Sequence, residues 1–211
     1  MSDEVQLPNG SERVPTDKPE AVVKPLMTLQ AAEENDGNTL LGNRFLCRGG
    51  GLLFVGSSGI GKSTAIMQCC ICWSAGRECF GIEPAKPLKI LMVQSENDEA
   101  DLCEMRDGVL NGLNLSKEQA RHVADNTHIV FEAARTSAEL IQGTIEPLLE
   151  RFKPDLLVLD PALSYIGGNA NEQETVGGFL RNLLNPVLQK HSCGVVIVHH
   201  TAKPNAGQRF P

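Results

Sequence analysis

The sequence has no excess of positive charge. Nineteen Lys and Arg against twenty-six Asp and Glu leave a formal net charge of −7, which argues against a nonspecific polycationic nucleic-acid binder. A ring or filament whose inner surface alone is basic stays compatible with that balance. Long apolar runs are also missing. Met1 to about Lys24 holds Pro, Asp, Glu, Ser and Lys without a signal-peptide core, and no later stretch is long enough to span a membrane. A cytoplasmic protein with no membrane partner is expected. Aromatic residues are scarce at 4%, whereas the apolar fraction of 41% is ordinary for a globular protein. The 211 residues suffice for one full domain with a sizeable core.

The seven cysteines do not form a metal-binding pattern. Cys69 and Cys72 have C-x-x-C spacing, but a zinc site needs a second pair at similar spacing, and none exists. These residues fall in a helix-forming segment and read as small buried hydrophobes.

Residues 1–24 are polar, contain proline and lack periodicity, so a disordered N-terminal segment is expected there, followed by one domain over 25–211. Order is expected to begin near residues 26–29. Leu52-Leu53-Phe54-Val55 is a fully apolar run, as suits a strand buried on both faces of a parallel sheet. Ile90-Leu91-Met92-Val93, Leu156-Leu157-Val158-Leu159 and Val195-Val196-Ile197-Val198 repeat the pattern, with a weaker case at His128-Ile129-Val130-Phe131. Between them lie helical segments: 62–73, 97–110 with Leu102, Met105 and Val109 at helical spacing, and 173–190, which Pro186 should kink. Ser116 with Gln119 and Thr136 with Glu139 fit the capping-box pattern. Alternating strands and helices predict an α/β domain of three layers around a mainly parallel sheet, with no internal repeat.

Gly56-Ser57-Ser58-Gly59-Ile60-Gly61-Lys62-Ser63 matches G-x-x-x-x-G-K-[ST] in full. Its glycines let successive backbone N–H groups face a phosphate, and the following helix adds its positive end. Lys62 is expected on the β- and γ-phosphates, the Ser63 hydroxyl on Mg²⁺, and Thr64 along the α-phosphate side. The match follows an apolar strand and opens a helix, which is the context that separates a working phosphate loop from a glycine-rich turn. Asp155 and Asp160 bracket Leu156-Leu157-Val158-Leu159. Asp160, at the strand's C-terminal end, is expected to hold Mg²⁺ through water and accept from Ser63. Asp155 lies at the opposite edge and reads as a connector.

Hydrolysis also needs a group that orients or deprotonates the attacking water. Pro161 follows Asp160, so no glutamate stands directly after the metal-side aspartate. Glu96, beyond Leu91-Met92-Val93-Gln94-Ser95, falls at the sheet edge where ligands bind in open α/β folds. It could instead cap the following helix or be solvated. The last strand ends in His199-His200-Thr201-Ala202-Lys203. Strand alternation leaves one histidine facing the core, and His200 is favoured over His199 as a phosphate sensor.

In this order the phosphate loop, Gln94-Ser95-Glu96-Asn97-Asp98, Leu157-Val158-Leu159-Asp160-Pro161 and His199-His200-Thr201-Ala202-Lys203 resemble RepA-like AAA-domain ATPases of the RecA-like P-loop superfamily, which includes a hexameric replicative helicase. The resemblance covers roughly residues 26–204. It implies a RecA-like P-loop NTPase core in which Lys62, Ser63 and Asp160 hold Mg-ATP and Glu96 is the catalytic base, with His200 coupling the γ-phosphate to a DNA-contacting loop. It further implies a homo-oligomeric ring, single-stranded DNA as partner, and an arginine from the neighbouring copy completing the site. Such domains continue beyond the position of Pro211, so a core incomplete at its C-terminus is expected. Without the trans arginine, turnover would fall by about 10³ or more. Arg209 and Lys203 are weak candidates for that role.

The expected function is therefore an ATP-driven DNA helicase or remodelling motor. A regulatory RecA-like ATPase that times a protein–protein interaction is the alternative, as is a nucleotide-binding fragment without efficient turnover. A small-molecule kinase is disfavoured, because Arg181 is the sole arginine between Asp160 and His199 and no Arg-rich lid exists.

Overall fold

The computed structural model describes residues 22–33, 36–168 and 173–201. The chain divides into two compact units, 1–34 and 35–211. In the first, Pro25 precedes a single 3₁₀ turn, Leu26–Thr28, in which no residue is buried. Of the segment expected to be disordered, residues 1–21 lie outside the described residues.

The second unit begins with a small antiparallel hairpin of β1 (Thr39–Leu41) and β2 (Leu46–Cys47). Then come β3 (Gly51–Ser57), α1 (Lys62–Ser74), β4 (Ile90–Gln94), α2 (Glu99–Gly112), α3 (Lys117–Asn126) and β5 (Thr127–Phe131). A long irregular helix follows: α4 (Ser137–Leu140), a π segment (Ile141–Ile145) and α5 (Glu146–Phe152). After β6 (Leu156–Asp160) and the short α6 (Leu163–Ile166) comes a second helix of this kind. It comprises α7 (Gln173–Gly177), a π segment (Gly178–Leu184) and α8 (Asn185–His191), and it leads into β7 (Gly194–Thr201).

β3 to β7 form one five-stranded sheet in the order β3-β7-β6-β4-β5, with every neighbouring pair parallel. Alternation sends Ile90, Met92, Leu156, Val158, Val196 and Val198 to one face, where they pack with Ile66, Ile71 and Trp73 of α1 and with Leu102 of α2. Leu91, Val93, Leu157, Leu159 and Val195 face the other way, against Leu140, Ile145, Leu149, Phe179 and Leu188. The result is the three-layer α/β arrangement of a RecA-like P-loop fold. No described helix is long and apolar enough to cross a membrane.

Three local expectations are corrected. The run Leu52-Leu53-Phe54-Val55 is not buried on both faces: β3 is an edge strand, and Leu53 and Val55 are 58% and 48% exposed on the side away from α1. Thr136 is the N-cap of α4, but its side chain makes no capping bond, and Glu139 turns to Arg135 instead. Ser116 and Gln119 do form their reciprocal box. The third correction concerns the helix over 173–190, where the expected kink takes the form of a π segment directly ahead of α8, in which Pro186 occupies the first turn. Pro147 stands in the same relation to the π segment at Ile141–Ile145. A proline supplies no N–H and its ring crowds the carbonyl four residues earlier, so the preceding turn widens.

The N-terminal edge of the sheet is held by Asp155. Its carboxylate accepts from Arg48 (2.5 Å), Lys86 (2.9 Å) and the Lys89 amide (3.0 Å). Arg48 also donates to the carbonyls of Gly37 and Ser192, so one guanidinium ties the residues flanking β1, β6 and β7 together. Burial pushes the Asp155 carboxyl up, but the Lys89 amide and the two cations outweigh it and leave the group below its ordinary value. A lowered folded-state value stabilises the fold above the unfolded pKa and loses that contribution as pH falls through the folded one. Asp155→Asn should cost about 1–3 kcal/mol of unfolding free energy near pH 7, from the lost charge-assisted bonds. The gap between variant and parent in chemical denaturation should close below about pH 4.

Candidate functional site

All five parallel strands end at one edge, so their last residues form a row in the order of the sheet. The loop after β3 comes first, then His199-His200-Thr201 at the end of β7, then Asp160 on β6. Gln94 ends β4, with Glu96 just beyond it, and Glu132 follows β5. Asp155 sits at the opposite edge, as expected for a connector.

The loop after β3 turns sharply before α1. Gly59 and Gly61 have φ of +81° and +86°, and a Cβ at either would meet nothing within 4 Å. Glycine is needed there for backbone conformation, and the space beside it stays open. Gly61 is the N-cap of α1 and offers no side chain to the first-turn amides, which leaves those donors free at the positive end of the helix. Ser58, Gly59, Ile60 and Gly61 are exposed, as is Thr64; Gly56, Ser57 and Ser63 are half-buried. Lys62 is buried, and its ammonium donates to the Ser57 carbonyl at 2.6 Å, folded back over the loop. A cleft of about 550 Å³ adjoins Thr64, between α1 and α2, lined by Gln68, Asp101 and Met105 among others.

Asp160 is 1% exposed. Its Oδ2 accepts from Gln94 Nε2 at 2.9 Å, and its Oδ1 is buried without a partner. Ser95 Oγ and the Tyr165 hydroxyl are likewise buried and unpartnered. Burial pushes the Tyr165 phenol up; the nearby Ser95 hydroxyl offsets this in part, and the carboxylates of Asp160, Glu132 and Glu96 reinforce it. Buried polar atoms are almost always satisfied, so the unpartnered Asp160 Oδ1 is a place for water, an ion or a ligand; Ser74 Oγ and Thr127 Oγ1, away from this edge, are unpartnered too. Among the described residues no group of three His, Cys, Asp or Glu could hold a metal by itself. Mg²⁺ does not need one, since it keeps several waters and takes one or two protein oxygens plus phosphates. Asp160 and the Ser63 hydroxyl fit that demand.

Glu96 is exposed in the bend after β4 and makes no hydrogen bond or ion pair with a described residue. It does not cap the next helix: α2 starts at Glu99, and Asp98 is its N-cap, accepting from the Asp101 amide at 2.9 Å. Both terminal histidines are half-buried, so neither is enclosed in the core. His200 is in register with Gly56 and falls on the α1 side with Val196 and Val198, while His199 is in register with the exposed Val55. Ala202, Lys203 and Arg209 lie outside the described residues.

Two groups at this edge were not foreseen. Gln94 is 1% exposed and bonds Asp160, although the two are 66 residues apart in sequence. Glu132 accepts from the amides of Ala134 and Arg135, the Thr144 hydroxyl and the Arg135 guanidinium. Burial raises this carboxyl and those donors more than reverse it, leaving it below its ordinary value. A polar residue closing an apolar strand was the available signal for both.

The cysteines are structural, as expected. Cys69, Cys70, Cys72, Cys79 and Cys193 are buried. Desolvation pushes the thiols of Cys69 and Cys79 up to about 12 and that of Cys72 to about 11.

The model of the AAA domain family matches residues 19–206 of the chain. No curated protein matches it.

A charged thiol reagent should label native protein only at the half-buried Cys47 and Cys103, because thiolate fraction and access both govern reactivity. Peptide mapping after labelling checks this. Gly61→Ala should cost about 1–2 kcal/mol in chemical denaturation through its left-handed φ alone, since no atom obstructs the added methyl.

Proposed function

The chain belongs to the AAA domain family of nucleotide-binding ATPases, and from that membership we propose that it binds Mg-ATP and hydrolyses it as a RecA-like motor of the RepA type, acting on DNA in replication. The observation that carries the nucleotide reading is the pairing of two features at one sheet edge. A glycine-shaped loop opens a helix at Gly61, and a fully buried aspartate nearby keeps one oxygen unpartnered.

In this reading the amides of Gly56, Ser57, Ser58, Gly59, Ile60, Gly61, Lys62, Ser63 and Thr64 form the phosphate cradle. Lys62 exchanges its bond to the Ser57 carbonyl for phosphate oxygens. Ser63 and Asp160 hold Mg²⁺, which when bound supplies positive charge to the β- and γ-phosphate oxygens. The remainder of the nucleotide extends past Thr64 into the cleft between α1 and α2.

Glu96 orients the attacking water and takes its proton. Its exposure and lack of partners support this role, since a base needs a free carboxylate. His200, in register with Gly56 on the α1 side, is assigned to sensing the γ-phosphate and passing its presence along β7. We assign residues 25–211 to the ATPase domain. A homo-oligomeric ring with an arginine supplied by the neighbouring copy, and single-stranded DNA as the partner, rest on the order of the four motifs that resemble RepA-like ATPases. The net charge of −7 requires any DNA path to be a local basic surface.

Glu96→Gln should lower turnover by roughly 10²-fold or more while ATP affinity stays near that of the parent. Lys62→Ala should instead weaken ATP binding itself, read by titration with a fluorescent ATP analogue. Steady-state ATPase assays across a single-stranded DNA titration test the motor reading. Stimulation is expected, and a flat response from an assembled oligomer would exclude it.

A further inference from the structure

Gln94 is the last residue of β4 and the register partner of Asp160 on β6. Parallel neighbours in register project to the same face, so the two side chains lie side by side in the core's polar rim. Each atom of the Gln94 amide is used. Nε2 donates to Asp160 Oδ2 at 2.9 Å and makes a weaker contact with Met92 Sδ at 3.7 Å, while Oε1 accepts from Asn97 Nδ2 at 3.0 Å. The Asp160 carboxylate only accepts when ionised, so it holds Nε2 toward itself and leaves Oε1 to accept from Asn97, whose bond then braces the amide in that orientation. A relay Asn97–Gln94–Asp160 spans the two strand ends and holds the residue next to Glu96.

The relay occupies one oxygen of Asp160 and leaves the other, Oδ1, buried and unpartnered. An aspartate without such a donor would rotate about its last torsion and present either oxygen. The geometry points to Gln94 as a positioning residue for cation binding: it selects the oxygen of Asp160 that is offered to Mg²⁺ and its waters, and Asn97 keeps it in that orientation. This rests on the reading of Asp160 as the metal-side group. Neither residue is required to touch nucleotide. Partners that orient a ligating group commonly govern metal affinity by 10- to 100-fold.

The test is nucleotide binding by the full chain, followed with a fluorescent ATP analogue in EDTA and then across a Mg²⁺ titration. Gln94→Met removes the donor and nearly keeps the volume. It should leave affinity in EDTA within about twofold and raise the half-saturating Mg²⁺ concentration roughly tenfold or more. Asn97→Ala should shift the same midpoint in the same direction by less. Asp160→Asn is the reference.

If Asp160→Asn shifts the Mg²⁺ midpoint and Gln94→Met, folded by its melting transition, does not, the role of Gln94 is wrong while the reading of Asp160 stands. A midpoint unmoved by Asp160→Asn overturns both. Equal loss of affinity in EDTA and in Mg²⁺ by Gln94→Met also overturns the inference, since general disruption of packing would explain it. Should Gln94→Met fail to fold, Asn97→Ala at a half-buried position decides by the same comparison.

Discussion

The bond from Gln94 to Asp160 joins the ends of β4 and β6 where Asp160 is only 1% exposed, and a polar group buried that deeply is costly unless it is hydrogen-bonded. One oxygen is compensated by Gln94 and the other is not. The asymmetry has a structural source. β6 and β4 run parallel with Asp160 and Gln94 in register, so the donor arrives on one flank only. On the other flank β7 is in register with β6 up to Ile197, and beyond Asp160 the Ala162 amide donates to the Val198 carbonyl of β7. The oxygen left over is buried and has no hydrogen-bond partner among the described residues.

The two edges of the sheet use acidic residues differently. Asp155 immediately precedes β6 and Asp160 ends it, five residues later, and both are buried. Asp155 meets two cations and a backbone amide, and so is wholly committed to holding the hairpin, β6 and the turn before β7 together. Asp160 has a single neutral donor. Glu132 follows the first pattern, saturated by two amides, a hydroxyl and Arg135. Glu96 differs from all three in being exposed and without a hydrogen-bond or ion-pair partner among the described residues.

Much of the architecture was legible because it follows from local patterns. All five sheet strands were evident as short apolar runs, the one at 128–131 the weakest, and the loop from Gly56 to Lys62 was evident from glycine spacing that only a tight, amide-presenting turn requires. The capping box at Ser116 and Gln119 formed as expected, since both partners lie within one helical turn. The one at Thr136 did not: the Thr136 side chain makes no capping bond, and Glu139 lies 3.9 Å from Arg135 instead. The irregularity at Pro186 was foreseen as a kink; whether a helix bends or widens there depends on what packs against it.

From the sequence alone came the α/β alternation, the phosphate loop with Lys62 and Ser63, the aspartate at a strand's end and the absence of a glutamate after it. Each of these is carried by neighbours in the chain. Tertiary structure alone decided that β3 is an edge strand with Leu53 and Val55 uncovered, and that both terminal histidines are half-buried. It alone brought Arg48 to Asp155 and Gln94 to Asp160. Those facts depend on strand order and register, which arise from pairings such as Ile90 with Leu156 and Gly51 with Val195, far apart in the chain, and no local pattern encodes which apolar strand lies beside which.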